Sequence, residues 1–315
     1  MADCSAEFKD FLDSIQLGKT NVDNLRRSRD AIKDKVIGYY QDKGLASPAF
    51  CGQGSFKVKT GIRQSGEDYD IDHGVYLQHL PDAKDDWPKA ETVHDEIMDA
   101  VNDHTNTPPK DKHACVRVQY KKEYHVDLAI YGEDRDGKIY LARKGSGQWE
   151  ENNPKLFTAW FLDKLKIHGE QMRSVVKYIK KWSYYNGWMD SISGFFITIL
   201  VGNHFSAVPD RDDAALKNTL SGIVSYLQVN RRIIRPVVPA VNLTESFSED
   251  AMDAMISHFR DFKNEAEKAI FGTSKEDAQQ TWQKLFGNEF PKYKETQKDY
   301  SSVTVIQREN KPWGN

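Results

Sequence analysis

Apolar residues recur along this chain at two spacings, and the change from one to the other marks where helices give way to strands. From Thr20 to Gly44 the positions Leu25, Ile32, Val36 and Tyr39 or Tyr40 fall on one stripe, which predicts a long amphipathic helix with a period of about 3.6 residues. Thr20 is placed to cap that helix and Gly44 to end it, and the helix is expected to act as a spine. A short apolar run from Pro48 to Cys51 precedes a Gly/Ser turn at Gly52 to Ser55. The stretch from Tyr69 to Leu77 then alternates as a half-buried strand does. This segment therefore predicts strand, turn, short helix, strand. The helical period returns from Pro88 to Val101, with apolar residues at Val93, Ile97, Ala100 and Val101, and Thr105 to Pro109 closes it. Cys115 to Tyr120 and Tyr124 to Tyr131, separated by the charged Lys121, Lys122 and Glu123, predict an antiparallel hairpin in a mixed sheet that ends near Ile139 to Ala142.

Gly145, Ser146 and Gly147 mark the expected passage into a second lobe, helical from Pro154 into the 280s. Helical patterns run over Asp163 to Trp182, Gly194 to His204, Asp212 to Leu227, Asp250 to Phe271 and Lys275 to Phe286. The expected fold class is α+β: a sheet-bearing lobe with the spine helix over residues 1–150, a helical lobe over 151–290, and a polar, flexible tail over 291–315. Neither internal repeats nor low-complexity segments interrupt it.

Composition narrows the function classes. A formal net charge of −3 argues against a protein that coats nucleic acid, which needs a broad excess of Lys and Arg. The three cysteines, Cys4, Cys51 and Cys115, are far apart and form no CxxC pair, so neither a disulfide framework nor a zinc ribbon is encoded. The opening residues Met1 to Ser5 lack a basic and apolar leader pattern. The longest apolar stretch, around Phe195 to Val201, falls far short of the roughly 20 residues that a membrane crossing needs. A cytosolic, reduced setting is expected.

Three carboxylates carry the candidate chemistry. Asp70 and Asp72, one residue apart on a strand, point to the same face because side chains alternate. Asp127, flanked by the apolar Val126, Leu128 and Ile130, would face the same point from a neighbouring strand. Burying an unpaired carboxylate there costs several kcal/mol, so a role for it is expected. Three hard oxygen donors suit Mg²⁺, which is held by few carboxylates together with substrate phosphates. Gly52, Gly54 and Ser55 permit close backbone approach to a phosphate. An isolated DxD is often only solvated charge; the ordered set is what points to a site. His73 is expected at a surface or cleft edge without a catalytic role. Trp149, Trp160, Trp182 and Trp188 are expected in the core, and the Arg26 to Arg29 run and the Arg231 and Arg232 pair on solvated faces.

The segments GQGSFKVKTG, DYDIDHGVYL and YHVDLAIY together resemble the signature of the polymerase-β-like nucleotidyltransferases. Within that superfamily the chain is most similar to the bacterial cGAS/DncV-like enzymes. Val176 to Trp182 resembles the family helix with a K-x-W element, and Ser191 to Phe196 the serine-bearing helix start after it. The resemblance thus implies that Lys180 and Ser193 bind the donor triphosphate beside Gly54 and Ser55. Arg235 to Asn242 resembles a further family element, but Arg235 stands where an acidic residue is common, so no role is carried over. Trp282 to Gly287 resembles the closing helix, and the likeness covers residues 20–290.

The resemblance implies an oligoadenylate-synthase-like, two-lobed enzyme of the bacterial cytosol. It implies Mg²⁺-dependent condensation of NTPs into a cyclic di- or trinucleotide messenger for antiphage defence, through Asp70, Asp72 and Asp127, with pyrophosphate released. Two Mg²⁺ ions are implied, with Mn²⁺ able to substitute. ATP is the foremost substrate, with GTP or another NTP beside it, an effector that senses the product, and a C-terminal conjugation partner. A nucleic-acid activator and a membrane are not expected. Two alternatives stand: a transferase that makes linear oligonucleotides or modifies RNA or protein, and a degenerate NTP-binding module. Base choice, ring size and linkage are left open by the sequence.

Overall fold

The computed structural model of the protein describes residues 2–63, 69–120, 124–145, 147–272 and 274–293. The alternating runs on either side of the Gly52 to Ser55 turn form one sheet. Strand β1 (Ala49–Gly52) pairs antiparallel with β2 (Tyr69–Tyr76), and β2 runs parallel to β5 (Tyr124–Glu133). The expected hairpin is present, with β4 (Val116–Tyr120) antiparallel to β5, although its Lys121 to Glu123 turn lies outside the described residues. The far end of β5 pairs with β6 (Ile139–Arg143).

Two strands are not anticipated by the pattern, β3 (Lys110–Asp111) against β4 and β7 (Gln148–Glu151) against β6. Each is too short and polar to show an alternation. Strand β7 corrects the expected lobe passage, because the chain is back in the sheet at Gln148–Glu151. The N–H groups of Gly145 and Gly147 both donate to Glu91 Oε1, 3.0 Å each, which holds the turn on the helix carrying Glu91.

Helices α2 (Lys19–Asp42) and α4 (Ala90–Val101) cover one face of the sheet. Leu25, Ile32, Val36, Val93 and Ile97 pack there on Ile71, Val75, Val126, Leu128 and Ile130, all of them buried. The N-cap of the spine helix is Gly18, two residues before the expected Thr20, which falls inside the first turn and caps nothing. Its end is as expected. Gly44 takes φ 68°, its N–H donates to Gln41 O and that of Leu45 to Tyr40 O, both at 2.9 Å, the closure that a left-handed glycine allows.

A second core is built by α1 (Ser5–Ile15), α5 (Pro154–His168), α6 (Glu170–Tyr185), α7 (Gly194–His204), α8 (Asp212–Asn230), α9 (Glu249–Phe271) and α10 (Lys275–Phe286). The single expected helix from Asp163 to Trp182 is in fact two, broken at Gly169, whose φ of 72° an α-helix cannot hold. Helix α1 was not anticipated. Its stripe of Phe8, Phe11 and Ile15 is fully buried, and the Phe8 ring lies 5.0 Å from Tyr178, 4.9 Å from Trp282 and 5.2 Å from Phe290. Ser5–Ile15 therefore packs with the helical unit, not with the sheet unit to which the division at residue 150 would assign it. The expected flexible tail lies outside the described residues from Lys294 onward. No helix among the described residues is long and apolar enough to cross a membrane.

Phe8→Ala should open a cavity between α1, α6 and α10 that these rings cannot refill, costing about 3–5 kcal/mol. A denaturant unfolding curve should show the loss as a lower midpoint at unchanged slope.

Candidate active site

The parallel pairing of β2 with β5 sets Asp70 opposite His125 and Asp72 opposite Asp127. With side chains alternating, these four residues share the sheet face that α2 and α4 leave open, while Ile71, Val75, Val126 and Leu128 point the other way into the core. Donor atoms of Asp70, His125 and Asp127 lie within 4.8 Å of one another. Asp72 is on the same face but outside this tight set, its carboxylate lying against Gly54. Gly54 has φ 65°, and an added Cβ would overlap that carboxylate, so the position demands glycine twice over. The gathered oxygen and nitrogen donors fit a divalent cation.

Charge is concentrated here on the half-buried Asp70 and Asp72 and the buried Asp127. Desolvation, then Asp70 and Asp127, push the Asp72 carboxyl up to about 8. Asp127 is neutralised directly: Arg117, its register partner on β4, donates from Nε to Oδ1 at 2.8 Å and from Nη2 to Oδ2 at 2.7 Å. Burial, then Asp127, push the Cys115 thiol up to about 12, so this cysteine is no ready nucleophile.

Lys180 reaches the site from α6. It is 7% exposed, and its Nζ donates to Thr60 Oγ1 at 3.1 Å and Thr60 O at 3.3 Å. Burial draws its pKa down to about 8 against the pull of Asp70 and Asp72. Ser193 is the N-cap of α7, accepting from Phe196 N–H at 3.3 Å. Its neighbour Gly194 packs on the Lys180 stem, where a Cβ would come within 3.0 Å of Cε. A cavity of about 330 Å³ is lined by Gly54, Ser55, Thr60, Asp70, Asp72 and Lys180 together with Phe157, Gly194 and Phe195. Asp127 and Ser193 adjoin this group but do not line the cavity.

A second cavity, of about 460 Å³, shares Leu17, Ser55 and Gly61 with the first and is lined by Arg26, Arg29, Lys57, Lys59 and Lys177. Arg26 and Arg29 thus border a basic hollow rather than a plain solvated face, while Arg231 does sit at the surface, paired with Glu249 and Asp253. His73 is also corrected. It is 5% exposed and stacks on Phe50 at 5.3 Å, on the sheet face opposite the aspartates, where burial brings its pKa down to about 4. One residue's offset along a strand carries it away from the cleft. The tryptophans pack as expected: Trp182 on Phe262, Trp188 on His258, Trp149 with Nε1 donating to Pro88 O, and Trp160 against Gly202.

Sequence reasoning overlooked Arg117, His125 and Thr60. Two of these left a signal. His125 stands two residues before Asp127 and must share its face. Counting back along the hairpin from the Tyr120 and Tyr124 pair brings Arg117 opposite Asp127.

The family model for the cyclic GMP-AMP synthase DncV-like nucleotidyltransferase domain matches residues 48–131, the segment from β1 to β5 that holds all three aspartates. The chain is also 21% identical over 298 residues to a cyclic AMP-AMP-AMP synthase of Acinetobacter sp., across 91% of this chain and 85% of that protein. Residues 48–131 are thus similar to DncV-like nucleotidyltransferase domains, and nearly the whole chain is similar to cyclic-oligonucleotide synthases. Solved structures share the fold. Vibrio cholerae DncV, a cyclic AMP-GMP synthase, superposes with a TM-score of 0.77 at 16% identity, covering 92% of this chain and 98% of that one. Escherichia coli CdnC with ATP gives a TM-score of 0.69 at 19% identity, covering 92% and 99%.

The raised Asp72 pKa has a testable sign. A carboxyl whose pKa folding raises keeps a proton that the unfolded chain gives up, so its contribution favours the folded state less as pH climbs from about 4 to about 8. In chelator-treated protein, Asp72→Asn should be the more stable form at pH 8 and lose that advantage near pH 4, read from melting temperatures across the range.

Proposed function

We propose that this nucleotidyltransferase joins NTPs into a cyclic oligonucleotide, using Asp70, Asp72 and Asp127 with Mg²⁺, for which Mn²⁺ can substitute. The observation that carries the reading is one cavity bordered by Asp70, Asp72, Ser55 and Lys180 inside a DncV-like domain. Relatives of comparable length are named as cyclic-oligonucleotide synthases, and the CdnC structure contains ATP.

In this reading the donor triphosphate lies between Ser55 at the start of α3 (Gly54–Lys57) and the Lys180 ammonium, with the Ser193 hydroxyl as a further donor. The basic hollow beside it raises the local concentration of anionic substrate. Asp70, Asp72 and Asp127 would hold the cation, which would supply charge neutralisation on the phosphates and acidify the acceptor hydroxyl. Arg117 fixes the orientation of Asp127 toward the acceptor sugar. The acceptor hydroxyl attacks the donor α-phosphorus in line, pyrophosphate leaves, and a later round closes the ring. Catalysis then rests on positioning and electrostatics. Signalling through an effector in antiphage defence rests on the family resemblance. A linear product, or transfer to RNA or protein, is the rival outcome of the same chemistry.

Incubation with labelled NTPs and Mg²⁺, followed by phosphatase and mass spectrometry, should yield a phosphatase-resistant cyclic product; only phosphatase-sensitive species would favour the rival. Asp70→Asn combined with Asp72→Asn should abolish turnover without lowering the melting temperature of metal-free protein, because two repelling carboxylates are removed. Lys180→Ala should raise the apparent KM for NTP at least about tenfold, as expected for a lost charge-assisted hydrogen bond, with metal dependence kept.

A further inference from the structure

We propose that Thr198 selects the base of the donor NTP, its hydroxyl oxygen accepting from the exocyclic amine of adenine while Phe157 and Phe195 stack the ring. This rests on the reading of the cavity as the donor site and adds to it a base and the residues that choose it.

Position is the first argument. Ser55 and Lys180 mark the phosphate end of the cavity, and Thr198 lines the same cavity. Gly194 packs on the Lys180 stem, and Thr198 lies four residues farther along α7, about 6 Å along the helix axis. The sugar of a nucleotide spans a comparable length between phosphate and base. Phe195, three residues before Thr198, shares its helix face and also lines the cavity. It is 39% exposed, and the ring of Phe157 from α5 lies 4.7 Å from it, tilted by 51°. Two aromatic rings in one cavity wall, one of them partly open, offer a flat base a stacking surface.

Hydrogen-bond polarity is the second argument. The Thr198 hydroxyl has one proton, and it is donated to Gly194 O at 2.7 Å. The oxygen is left as an acceptor only. Helices α5, α6 and α7 contribute one other polar side chain to the described cavity wall, Lys180, which belongs to the phosphate end. The first-turn N–H groups of α7 point back along the axis toward Ser193, away from Thr198. An adenine amine donates to such an oxygen. The 6-keto oxygen of guanine or hypoxanthine instead sets acceptor against acceptor and leaves both without a proton.

Calorimetry of the full-length protein with non-hydrolysable α,β-methylene triphosphates and Mg²⁺ provides the test. The adenosine analogue should bind about tenfold more tightly than the inosine analogue, a comparison that needs no substitution. Thr198→Val keeps the shape and removes the oxygen, and should bring the two affinities within about twofold. Thr198→Ser keeps the oxygen and should retain the preference. Phe195→Ala should weaken both analogues alike, by about tenfold. Equal wild-type affinities, tighter binding of the inosine analogue, or a preference that survives Thr198→Val would overturn selection by Thr198 and leave the donor site standing. Undiminished binding in Phe195→Ala would overturn the stacking surface. If neither analogue binds the wild type, the donor site and this proposal fall together.

Discussion

The parallel contact between β2 and β5 is the constraint on which the rest depends. It brings the aspartates of two distant segments onto one face, and in doing so crowds like charges. Such crowding opposes folding unless it is compensated. Compensation comes from two sides: Arg117 across the hairpin and Lys180 from α6.

The site is also where the two packed units meet. Helix α6 belongs to the helical core, yet Lys180 holds Thr60 and Arg173 Nε donates to Val58 O at 3.0 Å, both just beyond the glycine turn. The end of α1 adds a third tie, with Arg63 N–H donating to Ile15 O at 2.6 Å. The segment after the glycine turn is therefore clamped by the helical unit rather than carried by the sheet alone. Its short helix α3 is four residues long and has little stability of its own. Helix α1 matters to this arrangement because Phe8 and Phe11 seat α6 from behind.

Period-two alternation in DYDID and HVDLA, and the helical stripes of α2, α4, α7 and α10, are local properties. The sequence alone therefore determined the α+β class, most helix positions, the strand, turn, short helix, strand succession of the motif region and the placing of Asp70 and Asp72 on one face, which Asp127 joins once β2 and β5 pair. It could not find α1, whose short stripe has meaning only against Trp282 and Phe290 hundreds of residues away, or β3 and β7, which exist only because a neighbouring strand offers hydrogen bonds. Only the tertiary structure decided that Arg117 occupies both oxygens of Asp127, that His125 joins the donor cluster while His73 turns away, and that Lys180 is buried against Thr60. Each of these depends on register and on the approach of one packed unit to another. Side-chain periodicity encodes which face a residue takes, and only the packed chain decides what stands opposite.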